Sequence, residues 1–123
     1  MIARMFIPAP NANDAGTNLI KVIQLAPAFL VERFGAPLPG DGAKCTGRYT
    51  FVAGDGTVFT VYEYKSTAAY LDDEEDALAP DEFWRSRDEH ELSIGGRGGY
   101  GDDSADTFAA WLSGEYQRCV GSA

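Results

Sequence analysis

Few residues in this chain are of a type that does chemistry. The sole histidine, His90, stands in the run Asp88-Glu89-His90-Glu91. An imidazole among carboxylates can ligate a metal, but there is no second histidine and no H-E-x-x-H pair, so no metal is expected. Ser93 lies in no G-x-S-x-G elbow. Any hydrolytic reaction that needs a histidine base would therefore rest on His90 alone. Gly96, Gly98 and Gly101 match G-x-G-x-x-G literally, between an expected strand and an expected helix. Dinucleotide binding also needs a second parallel strand and an acidic residue about 20 positions further on, and the 123-residue sequence leaves no room for them. The glycines still let backbone N–H groups approach an anion, and Arg97 adds a charge. Asp102, Asp103 and Asp106 at the start of the next helix oppose an anion there, and a flexible glycine loop is the plainer reading. Cys45 and Cys119 lack metal-ligand spacing and read as thiols of a reducing compartment. Nothing forms a catalytic constellation. The expected role is binding, not catalysis, with no cofactor.

The residues that could bind are grouped in two places. One is the run Tyr62-Glu63-Tyr64-Lys65-Ser66-Thr67, in which two tyrosines sit beside a cation and two hydroxyls. The other is Gly95-Gly96-Arg97, a turn with backbone donors and a guanidinium. Both fall at the ends of expected strands.

The first of those strands belongs to the stretch 44–65, KCTGRYTFVAGDGTVFTVYEYK. Two runs rich in Tyr, Thr, Val and Phe flank Gly54-Asp55-Gly56, which predicts a β-hairpin. In its second strand Val58, Thr60, Tyr62 and Tyr64 share one face, and Thr57, Phe59, Val61, Glu63 and Lys65 share the other. A helix is expected over the Phe59/Val61 face, leaving the Tyr/Thr face half exposed. In the opposing reading the tyrosines are partly buried sheet residues and Lys65 a solvated strand end.

Elsewhere, residues 3–7 predict a short strand ended by Pro8 and Pro10. TNLIKVIQL at 17–25 alternates and predicts another strand. Pro27 decides against one helix running from 17 to 34, because proline in a helix interior costs about 3 kcal/mol yet suits the first helical position. A short helix over 27–34 then carries Phe29, Leu30 and Phe34 inward and ends at Gly35. Residues 36–42 read as a loop. Residues 68–79, with Asp72-Asp73-Glu74-Glu75-Asp76, read as a solvated acidic face without the spaced ligands and glycine of a calcium loop. One or two helical turns over 80–87 bring in Phe83 and Trp84, and 91–94 is a short strand. The last element is a helix capped by Asp103 or Ser104, with Phe108, Trp111, Leu112 and Cys119 as its stripe. The fold class is α+β: a small, mostly antiparallel sheet built on the central hairpin, packed by the short helix and the C-terminal helix.

The length suits one domain with a modest core, and 45% apolar residues is ordinary for a globular chain. A net charge of −9 argues against a nucleic-acid polymer as partner. No apolar run approaches a membrane span, and the N-terminus lacks a secretory pattern, so a cytoplasmic location is expected.

Phe34-Gly35-x-Pro37, the hairpin ending DG-x-V-x-T-V-Y-x-x-K (Asp55 to Lys65) and Ile94-Gly95-Gly96 before a C-terminal helix resemble a family of small tailed-phage proteins. Those read F-G-x-P, then D-G-T-V-A-T-I-Y-x-W-K, then W-x-I-G-G. The likeness runs in order from residue 17 onward, although Tyr64 replaces the usual tryptophan and the segments after Lys65 and after Gly96 are longer. The resemblance implies a viral sponge of the anti-CBASS type, which sequesters a cyclic-nucleotide signal of bacterial immunity inside the infected host. Such a protein needs aromatic faces for bases, a few cations and backbone donors. Tyr62, Tyr64, Lys65, Ser66, Thr67, Gly95, Gly96 and Arg97 supply these if the two strand ends meet. A homodimer or larger homo-oligomer is expected, because a domain this small encloses a nucleotide most easily at a subunit interface. Two alternatives compete. One is an acidic phage protein that blocks a host protein through residues 72–76, and the other is a nucleotide-degrading enzyme dependent on His90.

Overall fold

The computed structural model describes residues 6–12, 17–39, 47–54, 56–63, 79–97 and 103–121. Its elements are β1 (Phe6–Pro8), β2 (Asn18–Leu25), α1 (Pro27–Phe34), β3 (Leu38–Pro39), β4 (Gly47–Ala53), β5 (Val58–Tyr62), α2 (Pro80–Arg85), β6 (His90–Gly96) and α3 (Asp103–Gly121). The fold is α+β, with a small antiparallel sheet, a central hairpin, a short helix and a C-terminal helix.

The hairpin is β4–β5, in register from Arg48↔Tyr62 to Val52↔Val58. Its turn closes through the Ala53 N–H on the Thr57 carbonyl and the Gly56 N–H on the Ala53 carbonyl, both 2.9 Å. Gly56 has φ +89°, a conformation that costs a side-chain-bearing residue dearly. Strand order is β1-β4-β5-β6-β2, with β3 attached to β4, and every pair is antiparallel.

The Pro27 argument holds: β2 stops at Leu25 and Pro27 opens α1. Gly35 ends the helix at φ 90°, its N–H donating to the Val31 carbonyl at 2.9 Å. Some boundaries differ from expectation. Pro8 lies within β1, opposite Phe51, as an edge strand tolerates. Residues 38 and 39 form β3, not loop, pinned by the Arg48 guanidinium on the Pro39 carbonyl. β6 extends past both expected ends, to His90 and Gly96.

The core lies on one side of the sheet. Tyr49 and Phe51 of β4, Phe59 and Val61 of β5, Leu92 and Ile94 of β6 and Ile20, Ile23 and Leu25 of β2 are buried there. α3 covers them with Ala105, Phe108, Ala109, Leu112 and Tyr116. Cys119, expected on that stripe, is exposed, and Tyr116 takes the inward position one turn earlier. The Phe59 and Phe108 rings stack 4.8 Å apart and nearly parallel. From α1, Phe34 meets Phe51 and Tyr49, while α2 sets Trp84 against Tyr49. The Tyr49 hydroxyl donates to the Gly35 carbonyl at 2.6 Å, and burial pushes its pKa above the usual phenol range. Glu63, on the same side as Phe59 and Val61, is wholly buried and engaged.

The opposite face departs from the half-exposed surface expected. Thr60 (4% exposed), Thr50 (3%) and Ser93 (8%) are buried along its centre, while Arg48, Val52 and Tyr62 are half-buried. Exposed apolar residues, Ile7, Leu19 and Val22, stand on β1 and β2 toward the two lateral edges. The Thr50 Oγ1 has no hydrogen-bond partner among the described residues. An unsatisfied buried hydroxyl costs about 1–3 kcal/mol, so Thr50→Val should stabilise the protein by roughly 1 kcal/mol in urea unfolding. A loss of stability would mean that the hydroxyl is satisfied after all.

Candidate functional site

Tyr64, Lys65, Ser66 and Thr67 lie outside the described residues, as does the acidic run 72–76. Tyr62 closes β5 opposite Ser93, and Gly95 sits opposite Thr60. β5 and β6 are therefore neighbours, as a site drawing on both motifs requires. Tyr62 and Gly95 share a face at a cross-strand diagonal, for which Cα atoms lie roughly 7–8 Å apart.

Their direction separates the motifs again. Because the pair is antiparallel, the chain leaves β5 beside the middle of β6, heading toward the His90 end. It leaves β6 at the other end, where Arg97 is exposed. Gly96 has a packing reason to be glycine. A Cβ there would lie 2.5 Å from the Ile20 Cδ1 and 3.6 Å from the Phe59 Cδ1. Of the second motif, Gly95 is on Tyr62's face, Gly96 faces the core and Arg97 stands beyond the strand.

At the start of β6 the structure makes a contact that the sequence did not suggest. The Ser86 Oγ is 3.0 Å from the His90 Nε2 and accepts the Asp88 N–H at 3.2 Å, while the imidazole rests 5.1 Å from the Phe83 ring. A serine–histidine contact is one element of a nucleophilic pair. Here it ties the end of α2 to β6, and neither residue lines the two cavities described below. Among the described residues no group of three or more His, Cys, Asp or Glu side chains is placed to hold a metal, and no helix is long and apolar enough to cross a membrane.

Those cavities adjoin each other along α1. One, of about 410 Å³, has Ala26, Ala28, Phe29 and Tyr116 among its lining, with Arg33, Glu32, Arg87 and Cys119 around it. The other, of about 300 Å³, shares Ala28, Glu32 and Arg87 and reaches Val31, Trp84 and Arg85. The Arg87–Glu32 ion pair is common to both. The Tyr116 hydroxyl donates to the Glu89 Oε2 at 3.1 Å. Burial raises the Tyr116 pKa, its hydrogen bond to Glu89 and that carboxylate's charge raise it further, and a backbone hydrogen bond from Ala26 opposes them. Sequence reading passed over Arg33 and Arg87 because they lie 54 positions apart, one in α1 and the other between α2 and β6. The one available signal was the scarcity of basic residues, 10 against 19 acidic ones. Compared with known families and with curated proteins, the chain matches no family model and no curated protein.

Proposed function

We propose that this protein is a phage anti-defence binding protein that sequesters a cyclic-nucleotide immune signal without degrading it. The motif resemblance supplies the class of ligand. The structural observation that favours the reading is Tyr62, a half-buried aromatic ring at the end of a face of buried Thr, Ser and Gly, diagonal to Gly95. In this reading Tyr62 and Tyr64 present rings to a base, and Lys65, Ser66, Thr67, the Gly95 and Gly96 backbone and Arg97 hold phosphate or ribose oxygens. Because β5 and β6 exit in opposite directions, one copy's Arg97 points away from the strand end that leads to Lys65. A homodimeric or larger assembly, with the ligand between copies, would reconcile the two halves of the site.

An acidic chain repels an anion at long range, so binding rests on close contacts. Losing a stacking ring costs about 1–3 kcal/mol and losing a charged hydrogen bond about 1.5–3 kcal/mol. Tyr64→Ala is expected to weaken binding at least about fivefold and Lys65→Ala at least about tenfold by calorimetry, while neutralising residues 72–76 leaves it unchanged or slightly tighter. Incubation with a panel of cyclic nucleotides, followed by denaturation, should return the bound compound intact. Converted product, lost on His90→Ala, would establish an enzyme instead. If the acidic-run variant alone loses function, an interaction with a host protein replaces sequestration.

A further inference from the structure

We infer that the 410 Å³ cavity between α1, α3 and Arg87 is a binding site for a small amphipathic anion, an apolar body carrying one carboxylate, sulfonate or phosphate monoester. The inference does not rest on the nucleotide reading, and none of the residues assigned to that site lines this cavity.

Its size is the first argument. Small-molecule pockets span roughly 300–1,000 Å³, apolar in the main with a few convergent polar groups. Here the apolar part is Ala26, Ala28, Phe29 and the Tyr116 ring, the last two in edge contact with centroids 5.3 Å apart. Both aromatic residues are fixed in the core, so these walls are rigid. Ala26 and Ala28 leave room that any larger side chain would take.

Charge is the second argument. Arg33 and Arg87 both line this one cavity, in a chain with a net charge of −9. Arg33 lies 5.2 Å from the Phe34 ring centroid, which orients its planar group. Arg87 gives Glu32 one of its nitrogens, and a guanidinium carries five donors, so capacity for a second anion remains. Among the described residues Glu32 is the carboxylate of the lining, and Glu89 stands behind the Tyr116 hydroxyl. Glu32 is held by Arg87, and Glu89 accepts the Tyr116 hydroxyl. Two guanidiniums against one carboxylate in a mostly apolar lining favour a ligand with one anionic end. A bare inorganic ion would leave the floor unfilled.

Anilinonaphthalene sulfonate is a suitable probe, read by its fluorescence on titration into the full chain. One saturable site is expected. Arg33→Gln with Arg87→Gln should weaken it at least tenfold, and Ala28→Trp should abolish it by filling the floor. Arg118→Gln, next to Cys119 but not itself in the lining and paired with Glu115, should change nothing. Val22→Lys tests whether the probe sits on the exposed apolar edge instead. Cys119 lines the cavity and gives a second readout. In a Cys45→Ser background, saturating probe should slow its alkylation by iodoacetamide several-fold. Probe binding unaltered by the two arginine substitutions, lost on Val22→Lys, or without protection of Cys119 would overturn the assignment. The arginines are exposed, so their variants remain informative even if Ala28→Trp does not fold. Nucleotide sequestration can fail while this site stands, and the reverse.

Discussion

Phe108→Ala is expected to lower the unfolding free energy by about 3–5 kcal/mol, the range for removing a buried aromatic ring. The Phe108 side chain is fully buried. Its ring stacks on Phe59 at 4.8 Å and meets Phe6 at 5.2 Å, Phe51 at 5.3 Å and Trp111 at 6.0 Å. One side chain thus joins α3 to β1, β4 and β5, and its truncation leaves a cavity with walls on four elements. Rings beyond their area contribution add about 0.5–1.5 kcal/mol per well-placed pair, so the upper half of the range is favoured. Urea unfolding should show a lower midpoint with the slope preserved. Phe108→Leu should cost less than half as much. Near-parental stability of the alanine variant would mean that α3 is not docked through this ring.

Gly47→Ala should cost about 2–3 kcal/mol, toward the upper end for overpacking. A Cβ at Gly47 would stand 2.9 Å from the Trp84 Cζ2 and 3.0 Å from two further atoms of the same indole. That ring is buried and wedged against Tyr49 and Phe83, so it cannot rotate aside without moving both. Gly96→Ala makes a shorter contact, 2.5 Å, but with the Ile20 terminal methyl, which a change of rotamer can withdraw. The expected order of destabilisation is therefore Gly47 above Gly96, against the order of the distances. Thermal unfolding of the two variants side by side decides it. If Gly96→Ala proves the worse, Ile20 is locked, and the I-G-G signature is fixed by the core.

Local chemistry was legible where a single residue forces the backbone. Pro27 and Gly35 bracket α1, and Gly56 turns the hairpin. The C-terminal helix also follows from its apolar spacing, although at its last turn the choice between Cys119 and Tyr116 depends on which face meets Phe29. What sequence could not supply is order in space. Nothing in NLIKVIQL says that it pairs with HELSIGG rather than with the hairpin. The β5–β6 register puts Tyr62 and Gly95 on one face, while the direction of that pairing carries Arg97 away, and residues 64–67, on which the meeting of the two strand ends turns, lie outside the described residues. Thr60 reads as half exposed by alternation, yet is buried, because period-two patterning separates two faces without saying how far each is covered. The α1 cavity is assembled from residues 26–33, 87 and 116–119, and no linear motif spans such a set.

The pairing of β2 with β6 has a consequence for synthesis. Asn18 meets Gly96 and Leu25 meets His90, so every pair closes a loop of more than sixty residues. Loop-closure entropy grows only slowly with length, but such contacts must be made before they reward the chain, which slows folding. During translation the hairpin strands emerge together and can associate at once. β2 emerges earlier and waits for a partner made near the end. Through that interval a β-rich segment bearing Leu19, Ile20, Val22 and Ile23 is without its ladder, a risk for intermolecular pairing. The growing chain is most vulnerable between the emergence of residues 25 and 90, and a chaperone that shields extended apolar segments would raise the yield of folded protein.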